Sequence, residues 1–441
     1  MKQIIKRGSF LTLMFLLLGC LSLYAADNDL ITKQITIELE KAGTLPDRIA
    51  SSEKYKITNL KIIGEINGTD LRMIREMAVI NYIDDTHGNL SVLDLSEAKI
   101  VKGGDCYYKG YYTSNDVIGD NAFSGCYGLT SLNLPAGITS IGSRAFHGCR
   151  GLTSLNLPAG ITEIGSDALF EGCSGLTSLN LPAGITSIGA FAFWGCSGLT
   201  SLNLPAGITW IDDHAFDGCS GLTSLNLPAG ITEIGDAAFQ DCSGLTSLTL
   251  PAGITSIGEY AFKGCSGLTS LNLPAGITKI GFAAFERCSG LTSLNLPAGI
   301  TEIGSDALFE GCSGLTRLTL PDGITKIGSH AFNGCSGLTS IYLYAEKVPK
   351  IDSKAFEGFD AKKCTLYVPM GTRDIYRLFG FGNYFENIVE FDATGIDKTI
   401  TSTEVEEVAR YSVNGQRLSA PTKGLNIVKY SDGSVKKVAV R

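Results

Sequence analysis

Charge is scarce in this chain, and positive charge is not in excess. Lys, Arg, Asp and Glu make up 18% of the 441 residues, and the formal net charge is −8. Nucleic-acid-binding proteins usually display a basic face, so this balance argues against nucleic acid as a partner. So low a charged fraction is also unusual for a cytosolic enzyme, and it suits a chain built largely of Leu, Ser, Thr, Asn and Gly.

The sequence also offers little for catalysis or metal binding. Its four histidines, at positions 87, 147, 214 and 330, have no Ser or Cys nucleophile at a spacing that recurs along the chain. The thirteen cysteines form no CxxC pair and have no His at ligand spacing, which argues against a zinc site. Gly380-Phe-Gly382 lacks the strand–helix context of a phosphate-binding loop. We therefore expect no catalytic residue, no metal and no cofactor.

Long apolar runs are missing after residue 26. None reaches the roughly 18 apolar residues of a membrane-spanning helix, so we predict no transmembrane segment. Before that point, basic residues precede an apolar stretch over residues 10–23, and Ala25 and Ala26 provide small residues for cleavage. This pattern is typical of a secretory signal peptide over residues 1–26. We therefore expect a protein that is secreted or displayed on the outer cell surface.

A lipid anchor is the alternative for the same region. Leu17-Leu18-Gly19-Cys20 resembles the box at which a bacterial lipoprotein is cleaved and lipidated on its cysteine. A lipidated cysteine is normally followed by a polar linker, whereas here the apolar stretch continues to Tyr24. Cleavage at the two alanines is therefore favoured, with lipidation of Cys20 as the second interpretation.

The dominant feature is a unit of 23 residues that recurs from about Gly125 to Ile341. A fixed period of about 20–50 residues is the mark of a solenoid, in which each unit contacts only its neighbours. One unit cannot bury enough apolar side chain to offset its backbone entropy, so the copies must stack and be closed at both ends. The step Leu-Thr-Ser-Leu, with Arg317 replacing Ser in one copy, marks ten coils that begin at Leu129, Leu152, Leu176, Leu199, Leu222, Leu245, Leu268, Leu291, Leu315 and Leu338.

Each coil is expected to contain two short strands and one helical turn. In the copy that begins at Leu199, alternation along the first strand places its leucines in the core and Ser201 and Asn203 outside. The Pro-Ala-Gly step that follows predicts a turn, and Ile208–Ile211 predicts a second strand. Asp212–Cys219 predicts a single helical or 3₁₀ turn that buries its Ala, Phe and Cys.

Ten of the cysteines fall once per coil. Stacked coils lie about 4.8 Å apart, so parallel cysteine side chains keep their Cβ atoms about 5 Å apart. A disulfide needs about 3.5–4.5 Å between these atoms. We therefore expect buried free thiols that pack as small hydrophobic groups, at Cys126, Cys149, Cys173, Cys196, Cys219, Cys242, Cys265, Cys288, Cys312 and Cys335.

The rest of the chain is organised around this array. In the leader, Asp70–Ala78 predicts a short helix, and the polar, Tyr-rich segment 102–115 predicts a loop. Near the end, Asn414-Gly415 and Asp432-Gly433 predict two hairpin turns in a small β-meander. The predicted organisation is a signal peptide (1–26), an N-terminal cap with degenerate leucine-rich coils (27–116), the leucine-rich solenoid (117–358), a C-terminal cap (359–391) and a small all-β module (392–441).

Two resemblances follow from these residues. Coils of the form AFxGCxxLTSLxLPxGIxxIG resemble the BspA-like leucine-rich-repeat proteins of bacterial surfaces, and the likeness covers residues 117–391. It implies a β-strand and a short turn per coil, and adhesion to host or microbial surfaces, including extracellular-matrix proteins. The tail, with Lys423-Gly-Leu-Asn-Ile427, resembles the C-terminal sorting domain of type IX secretion and implies contact with a secretion machinery through residues 392–441. A plain β-cap is the alternative for the tail.

Candidate binding residues come from the outer surface of the coils. Uniform columns of Ser and Asn suit a repetitive ligand bound with avidity, or no ligand at all. Among the variable positions, Phe191, Trp194 and Trp210 lie on successive coils and predict an exposed aromatic patch, the usual anchor of an interface. The alternative for Phe191 is that it covers a junction between coils. The candidate column residues nearest this patch are Ser178, Asn180, Ser201, Asn203, Ser224 and Asn226.

Three functions are compatible with such a surface. The first is a non-enzymatic protein that mediates protein–protein interaction or adhesion. The second is a polysaccharide-binding protein that uses the Ser and Asn columns together with the aromatic patch. The third is ice binding through a parallel Thr column, Thr139, Thr162, Thr186 and Thr209.

Overall fold

The computed structural model describes residues 30–81, 86–164, 168–303, 307–393, 407–412, 417–418, 420–430 and 435–440. The chain divides into two compact units, of which the first ends at Phe391 and the second begins at Asp392. The expected signal peptide with Cys20, Ala25 and Ala26 lies outside the described residues, as do the two expected hairpin turns of the tail. Every helix in the described part of the chain falls short of the length and apolarity needed to cross a bilayer.

A long parallel sheet, here called the first sheet, runs through the whole first unit. Its six-stranded and eight-stranded segments are joined through Asn203, which bridges Asn180 and Asn226. Equivalent residues of successive coils pair in register, so one side of the sheet carries columns of like residues and the other buries the leucines. The predicted solenoid is confirmed. The strands are Ile35–Leu39, Asn59–Ile66, Val92–Ile100, Ser131–Asn133, Ser154–Asn156, Ser178–Asn180, Ser224–Asn226, Ser247–Thr249, Ser270–Asn272, Ser293–Asn295, Arg317–Leu320, Ser340–Leu343, Thr365–Pro369 and Asn387–Phe391.

A second set of parallel strands, here called the second sheet, forms another side of the coils. Each strand has two residues, of which the first points outward and the second, an isoleucine, points toward the core. The predicted strand over Ile208–Ile211 is confirmed in its last two residues. The strands are Val117–Ile118, Ser140–Ile141, Ser187–Ile188, Trp210–Ile211, Glu233–Ile234, Ser256–Ile257, Lys279–Ile280, Glu302–Ile303, Lys326–Ile327 and Lys350–Ile351.

The third side of each coil, here called the arc, leads from the second sheet to the cysteine, over Asp212–Cys219 in the copy used above. Bonds between residues i and i+3 occur as expected for a 3₁₀ turn, such as Asp217 N–H to His214 O at 3.2 Å. Other N–H groups, however, point to the next coil: that of Phe216 donates to Ala238 O at 2.9 Å. The arc is therefore a series of turns bonded between coils, and not a helix satisfied within itself.

One residue of each arc lies in the left-handed region of backbone space although it is not glycine. Its φ ranges from 49° to 68°, and its N–H donates to the next coil wherever the bond is formed, as from His214 to Asp236 O at 2.8 Å. The larger side chains at this position are partly or fully exposed, whereas the four alanines are buried. The residues at this position are Asn121, Arg144, Ala168, Phe191, His214, Ala237, Tyr260, Ala283, Ala307 and His330.

The core contains two ladders of identical side chains. From Phe123 to Phe356, one buried Phe ring per coil stacks on the next, with centroids 5.3–6.0 Å apart. Beside it run the ten cysteines, all buried as predicted. From Cys149 onward, each thiol also donates to the carbonyl of the Phe in the preceding coil, as Cys219 does to Phe193 O at 3.1 Å. The thiol therefore connects the two ladders.

The N-terminal cap extends the first sheet with three strands, two of which are its longest, and adds two helices, α1 (Leu45–Arg48) and α2 (Gly68–Ala78). Asn67 and Asp70 form a capping box at the start of α2, which matches the predicted helix. The predicted loop over 102–115 is wrong, because this segment contains an antiparallel hairpin, Gly103–Tyr108 with Tyr111–Thr113. Its first strand packs against α2, and a short pair, Ile80–Asn81 with Thr86–His87, follows that helix.

The C-terminal cap closes the other end with aromatic side chains. Phe356 ends the Phe ladder and packs against Phe381, Tyr384 and Phe385 of the cap. The cap contains helix α3 (Arg373–Leu378) and two 3₁₀ segments, Ala361–Lys363 and Phe381–Asn383. The second unit is a small antiparallel sheet, as predicted for the tail, with strands Glu407–Ser412, Arg417–Leu418, Gly424–Tyr430 and Val435–Val440.

Candidate binding surfaces

The strand face is the outer side of the first sheet over residues 131–295. The six predicted column residues, Ser178, Asn180, Ser201, Asn203, Ser224 and Asn226, all lie on it and are exposed. Their side chains form no hydrogen bond with any other described residue. The neighbouring Thr column behaves differently, because Thr200 Oγ1 donates to Thr177 O at 3.3 Å and this bond recurs along the column. The strand face therefore presents unpaired hydroxyl and amide groups at regular intervals.

The predicted aromatic patch is formed in part. The Phe191 ring contacts the Trp194 ring edge to face, with centroids 5.9 Å apart. It also stacks on the His214 ring of the next coil, with centroids 4.6 Å apart. His214 Nδ1 in turn lies 2.9 Å from Asp217 Oδ2. Trp194 is 43% exposed, so its ring is available to a partner. We call these four residues the arc cluster; two of them, His214 and Asp217, were not among the predicted site residues.

Asp217 is the polar anchor of the arc cluster. Burial raises the pKa of its carboxyl group, even though His214 and the amide of Gln240 act in the opposite direction. The repeat itself explains the grouping. Phe191 and His214 occupy the same column in adjacent coils, as do Trp194 and Asp217. Stacking of the coils therefore makes neighbours of residues that are 23 positions apart in the sequence. The stack also bears out the alternative for Phe191, since it bridges two coils.

Trp210 lies elsewhere. It is the outward residue of a strand in the second sheet and is 52% exposed. It makes no ring contact with Phe191, Trp194 or any other described aromatic residue. Its role in binding therefore stays a prediction separate from that of the arc cluster. On the same side of the coils, the Thr column of Thr139, Thr162, Thr186 and Thr209 is exposed, and ice binding likewise stays a prediction.

One group of side chains of the types found in catalytic triads was not predicted from the sequence. Ser124, His147 and Glu171 occupy one column of three successive arcs, with Ser124 Oγ 3.3 Å from His147 Nδ1 and Glu171 Oε1 3.4 Å from His147 Nε2. Acyl transfer also needs N–H donors for an oxyanion. The N–H groups of Ser124 and Gly125 already donate to Asn121 O and His147 O. These two N–H groups are therefore not free to bind an oxyanion, and the three residues form a polar ladder.

Burial makes the ten ladder cysteines poorly suited to chemistry in the folded chain. Burial raises the pKa of the Cys265 and Cys312 thiols to about 12. The thiolate is the reactive and metal-binding form, so these side chains are inert. Within the described residues, no group of three or more His, Cys, Asp or Glu is placed to hold a metal ion.

A second aromatic group, which the sequence reasoning did not single out, lies where the strand face ends. Arg317 replaces the column Ser, and its guanidinium lies 4.2 Å from the centroid of the Tyr342 ring. Tyr342 stacks on Tyr367 of the next strand at 4.3 Å, with ring planes 2° apart. The Phe391 ring packs edge to face against the Tyr342 ring, with centroids 5.7 Å apart. The signal for it in the sequence is the loss of the Ser and Asn consensus at 317 and 342.

Comparison with protein families shows to which family the chain belongs. The model of the BspA-type leucine-rich repeat region matches residues 116–246 and 232–363, with six copies of its unit. These matches cover more than half of the chain and coincide with the stacked coils. The chain belongs to the BspA-type leucine-rich-repeat family. No curated protein matches it significantly.

Three of the solved structures that match this chain are bacterial proteins. A leucine-rich repeat protein of T. pallidum is 34% identical over 36% of this BspA-type chain and 72% of its own, with a TM-score of 0.34. One from Bacteroides ovatus is 23% identical over 76% and 92% of the two chains, with a TM-score of 0.44. A leucine-rich cell surface protein of Faecalibacterium prausnitzii is 26% identical over 72% and 91%, with a TM-score of 0.40.

Proposed function

We propose that this BspA-type protein is a secreted or surface-displayed, non-enzymatic binding protein that mediates protein–protein interaction or adhesion to host or microbial surfaces. The observation that carries the proposal is the arc cluster. Trp194 and Phe191 place large apolar rings on a solenoid whose other outward side chains are mostly small and polar. Exposed aromatic residues backed by packed neighbours are typical hot spots of protein interfaces. The partner class is an extracellular-matrix protein or another cell-surface protein.

The test is binding of the full mature chain to an array of immobilised extracellular-matrix proteins and polysaccharides. Trp194→Ala is expected to weaken binding to the protein ligand by about tenfold or more, since hot-spot residues are worth about 2 kcal/mol or more. Trp210→Ala is measured beside it, because it removes the other exposed Trp, which lies outside the arc cluster and whose own role in binding is a separate prediction. Full binding by Trp194→Ala would dismiss the arc cluster as the site.

A second candidate function is polysaccharide binding by the strand face. It is favoured by the unpaired Ser and Asn side chains, which recur from coil to coil in the same orientation. A polymer with a regular repeat can engage several such groups at once, so weak contacts add up to useful affinity. Binding that grows with oligosaccharide length and survives Trp194→Ala would support this candidate over the first.

Export is the remaining part of the proposal. We propose that residues 1–26 are a cleaved signal peptide and that residues 392–441 engage a secretion machinery as a sorting domain. The described strands of the tail form an antiparallel sheet, which fits both a sorting domain and a plain cap. Intact mass of the cell-associated protein reports cleavage at Ala25 or Ala26, a lipid on Cys20 and removal of the tail in one measurement. A mass that corresponds to an uncleaved, unmodified chain would contradict it.

A further inference from the structure

The end of the strand face carries a cation that is held in place and has no acidic partner. Arg317 is exposed, and it forms no ion pair with any residue in the described part of the chain. Along the strand face itself, every outward position of the strands from Ser131 to Asn295 is Ser, Asn or Thr. At the opposite end of the sheet, by contrast, Lys61 is paired with Asp94 and Glu97. Within the described residues, Arg317 is thus an unpaired charge at the border of a long neutral surface.

The aromatic stack fixes where this charge lies. Arg317 and Tyr342 project from adjacent strands on the same side of the first sheet, because Thr319 pairs with Tyr342 and Arg317 with Ser340. The guanidinium covers one face of Tyr342, and Tyr367 covers the other. Tyr342 is consequently only 6% exposed, so it serves as a support for the guanidinium rather than as a surface for ligand. Stacking of this kind restricts the long Arg side chain while its N–H donors stay free.

A supported guanidinium with free donors is suited to a carboxylate. Arg presents paired N–H groups that match the two oxygens of a carboxylate, and holding the side chain in advance lowers the entropy lost on binding. The neighbouring strand face supplies unpaired hydroxyl groups at each coil and unpaired amide groups at most coils, and both match the hydroxyl groups of sugar rings. A neutral run of such groups ending in one cation therefore fits a polymer that carries both hydroxyls and carboxylates.

We propose that Arg317, supported by Tyr342 and Tyr367, is the anion-binding subsite of a strand-face site for a uronate-containing, acidic polysaccharide. The inference rests on the second candidate function, polysaccharide binding by the strand face, and adds the ligand's charge and the point at which it is anchored. It is independent of the arc cluster. An acidic peptide is the competing ligand, and the test includes one.

The experiment measures binding of the full mature chain to oligogalacturonate, to its methyl ester, and to a poly-glutamate peptide. Loss of one charge-assisted contact is expected to weaken oligogalacturonate binding by about tenfold or more in Arg317→Ser. This variant restores the Ser found at the same position in neighbouring coils, so it is expected to fold. Arg317→Lys keeps the charge without the paired donors and is expected to bind at an intermediate level. Arg287→Ser, which removes an exposed Arg of the arc, is the matched control.

The outcomes separate the anchor from the broader function. Tight binding of oligogalacturonate, weak binding of its ester and weakening by Arg317→Ser but not by Arg287→Ser would support the proposal. Equal binding of the acid and the ester would overturn the anion subsite while leaving neutral polysaccharide binding intact. Tighter binding of poly-glutamate, or no binding of any of the three probes, would overturn the choice of ligand.

Discussion

At the scale of single residues, the most constrained positions are those with left-handed backbone. Each arc contains one such non-glycine residue and, four positions later, a second left-handed position that is usually glycine. A side chain at positive φ costs about 1 kcal/mol because Cβ approaches the backbone carbonyl. Asp241 and Arg287 take the place of that glycine in two coils, with φ of 53° and 59°. These coils therefore carry local strain that their neighbours avoid.

Replacing Arg287 by Gly should relieve this strain. The Arg287 side chain is exposed, and Glu286, which lies 3.4 Å from it, keeps its second partner Lys263. Loss of the Arg287 ion pair therefore costs little, and relief of the backbone strain decides the sign of the change in stability. We expect the variant to gain about 0.5–1 kcal/mol in free energy of unfolding, measured by urea denaturation. The reciprocal change Gly334→Arg, at a position with φ of 71°, should lose a similar amount. Stabilisation by both changes would contradict the account.

The thiols make a separate prediction about pH. The ordinary pKa of a cysteine thiol is 9.0, and burial raises the pKa of Cys265 and Cys312 to about 12. Between these values the unfolded chain loses protons that the folded chain keeps, so stability falls as pH rises from 9 toward 12 and is unaffected by the thiols below 9. A double Cys-to-Ala variant of the two positions should show a shallower alkaline decline in the urea midpoint. An unchanged slope would contradict the assignment.

At the scale of elements, the N-terminal cap solves the problem of the first coil. In the repeated coils, arc carbonyls accept hydrogen bonds from N–H groups of the preceding coil. No repeated coil precedes the first one, so its arc carbonyls need donors from the cap. Arg75 of α2 donates to Ala122 O at 2.9 Å and Ser124 O at 3.0 Å. The Tyr107 hydroxyl, from the hairpin, donates to Asp120 O at 2.7 Å. Buried carbonyls without partners are costly, so the cap is a condition for stacking.

Removing Arg75 should therefore loosen the solenoid from its first coil. Arg75→Met keeps much of the apolar volume but leaves two carbonyls unpaired, and we expect a loss of about 2 kcal/mol or more. Hydrogen exchange should rise first in residues 120–150. Arg144→Ala, which truncates an exposed Arg at a left-handed position, is the control and should leave exchange unchanged. Equal effects of the two variants would contradict this role of the cap.

How far the sequence predicts these elements depends on whether a feature repeats. The strand of Ser224–Asn226, the buried Phe216 and the cysteine ladder follow from the period, because each position has the same environment in every coil. The hairpin at Gly103–Tyr108 occurs once and was predicted as a loop. The arc cluster and Arg317 depend on contacts between coils, such as Phe191 on His214. A single-coil pattern contains no information on those contacts, whereas aligning the coils by column reveals them.

At the scale of the whole molecule, the residues that stabilise the coils are distinct from the surface residues proposed to bind a partner. Each coil contacts its neighbours through equivalent bonds, so one coil can be removed without changing the environment of the rest. Deleting residues 245–267 joins Gly244 to Leu268 and preserves the repeat. We expect this variant to fold cooperatively, as monitored by circular dichroism.

Deleting residues 27–116 instead should yield aggregated protein, because it exposes the first coil. A folded cap deletion would contradict the need for closure.

The separation of scaffold and surface is the central claim, and one binding measurement tests it most directly. The protein ligand identified on the array is titrated with the wild-type chain, the 245–267 deletion and Trp194→Ala. The account predicts that the deletion binds like the wild type, because it leaves the arc cluster intact, and that Trp194→Ala binds about tenfold or more weakly. Loss of binding on deletion, together with full binding by Trp194→Ala, would contradict it.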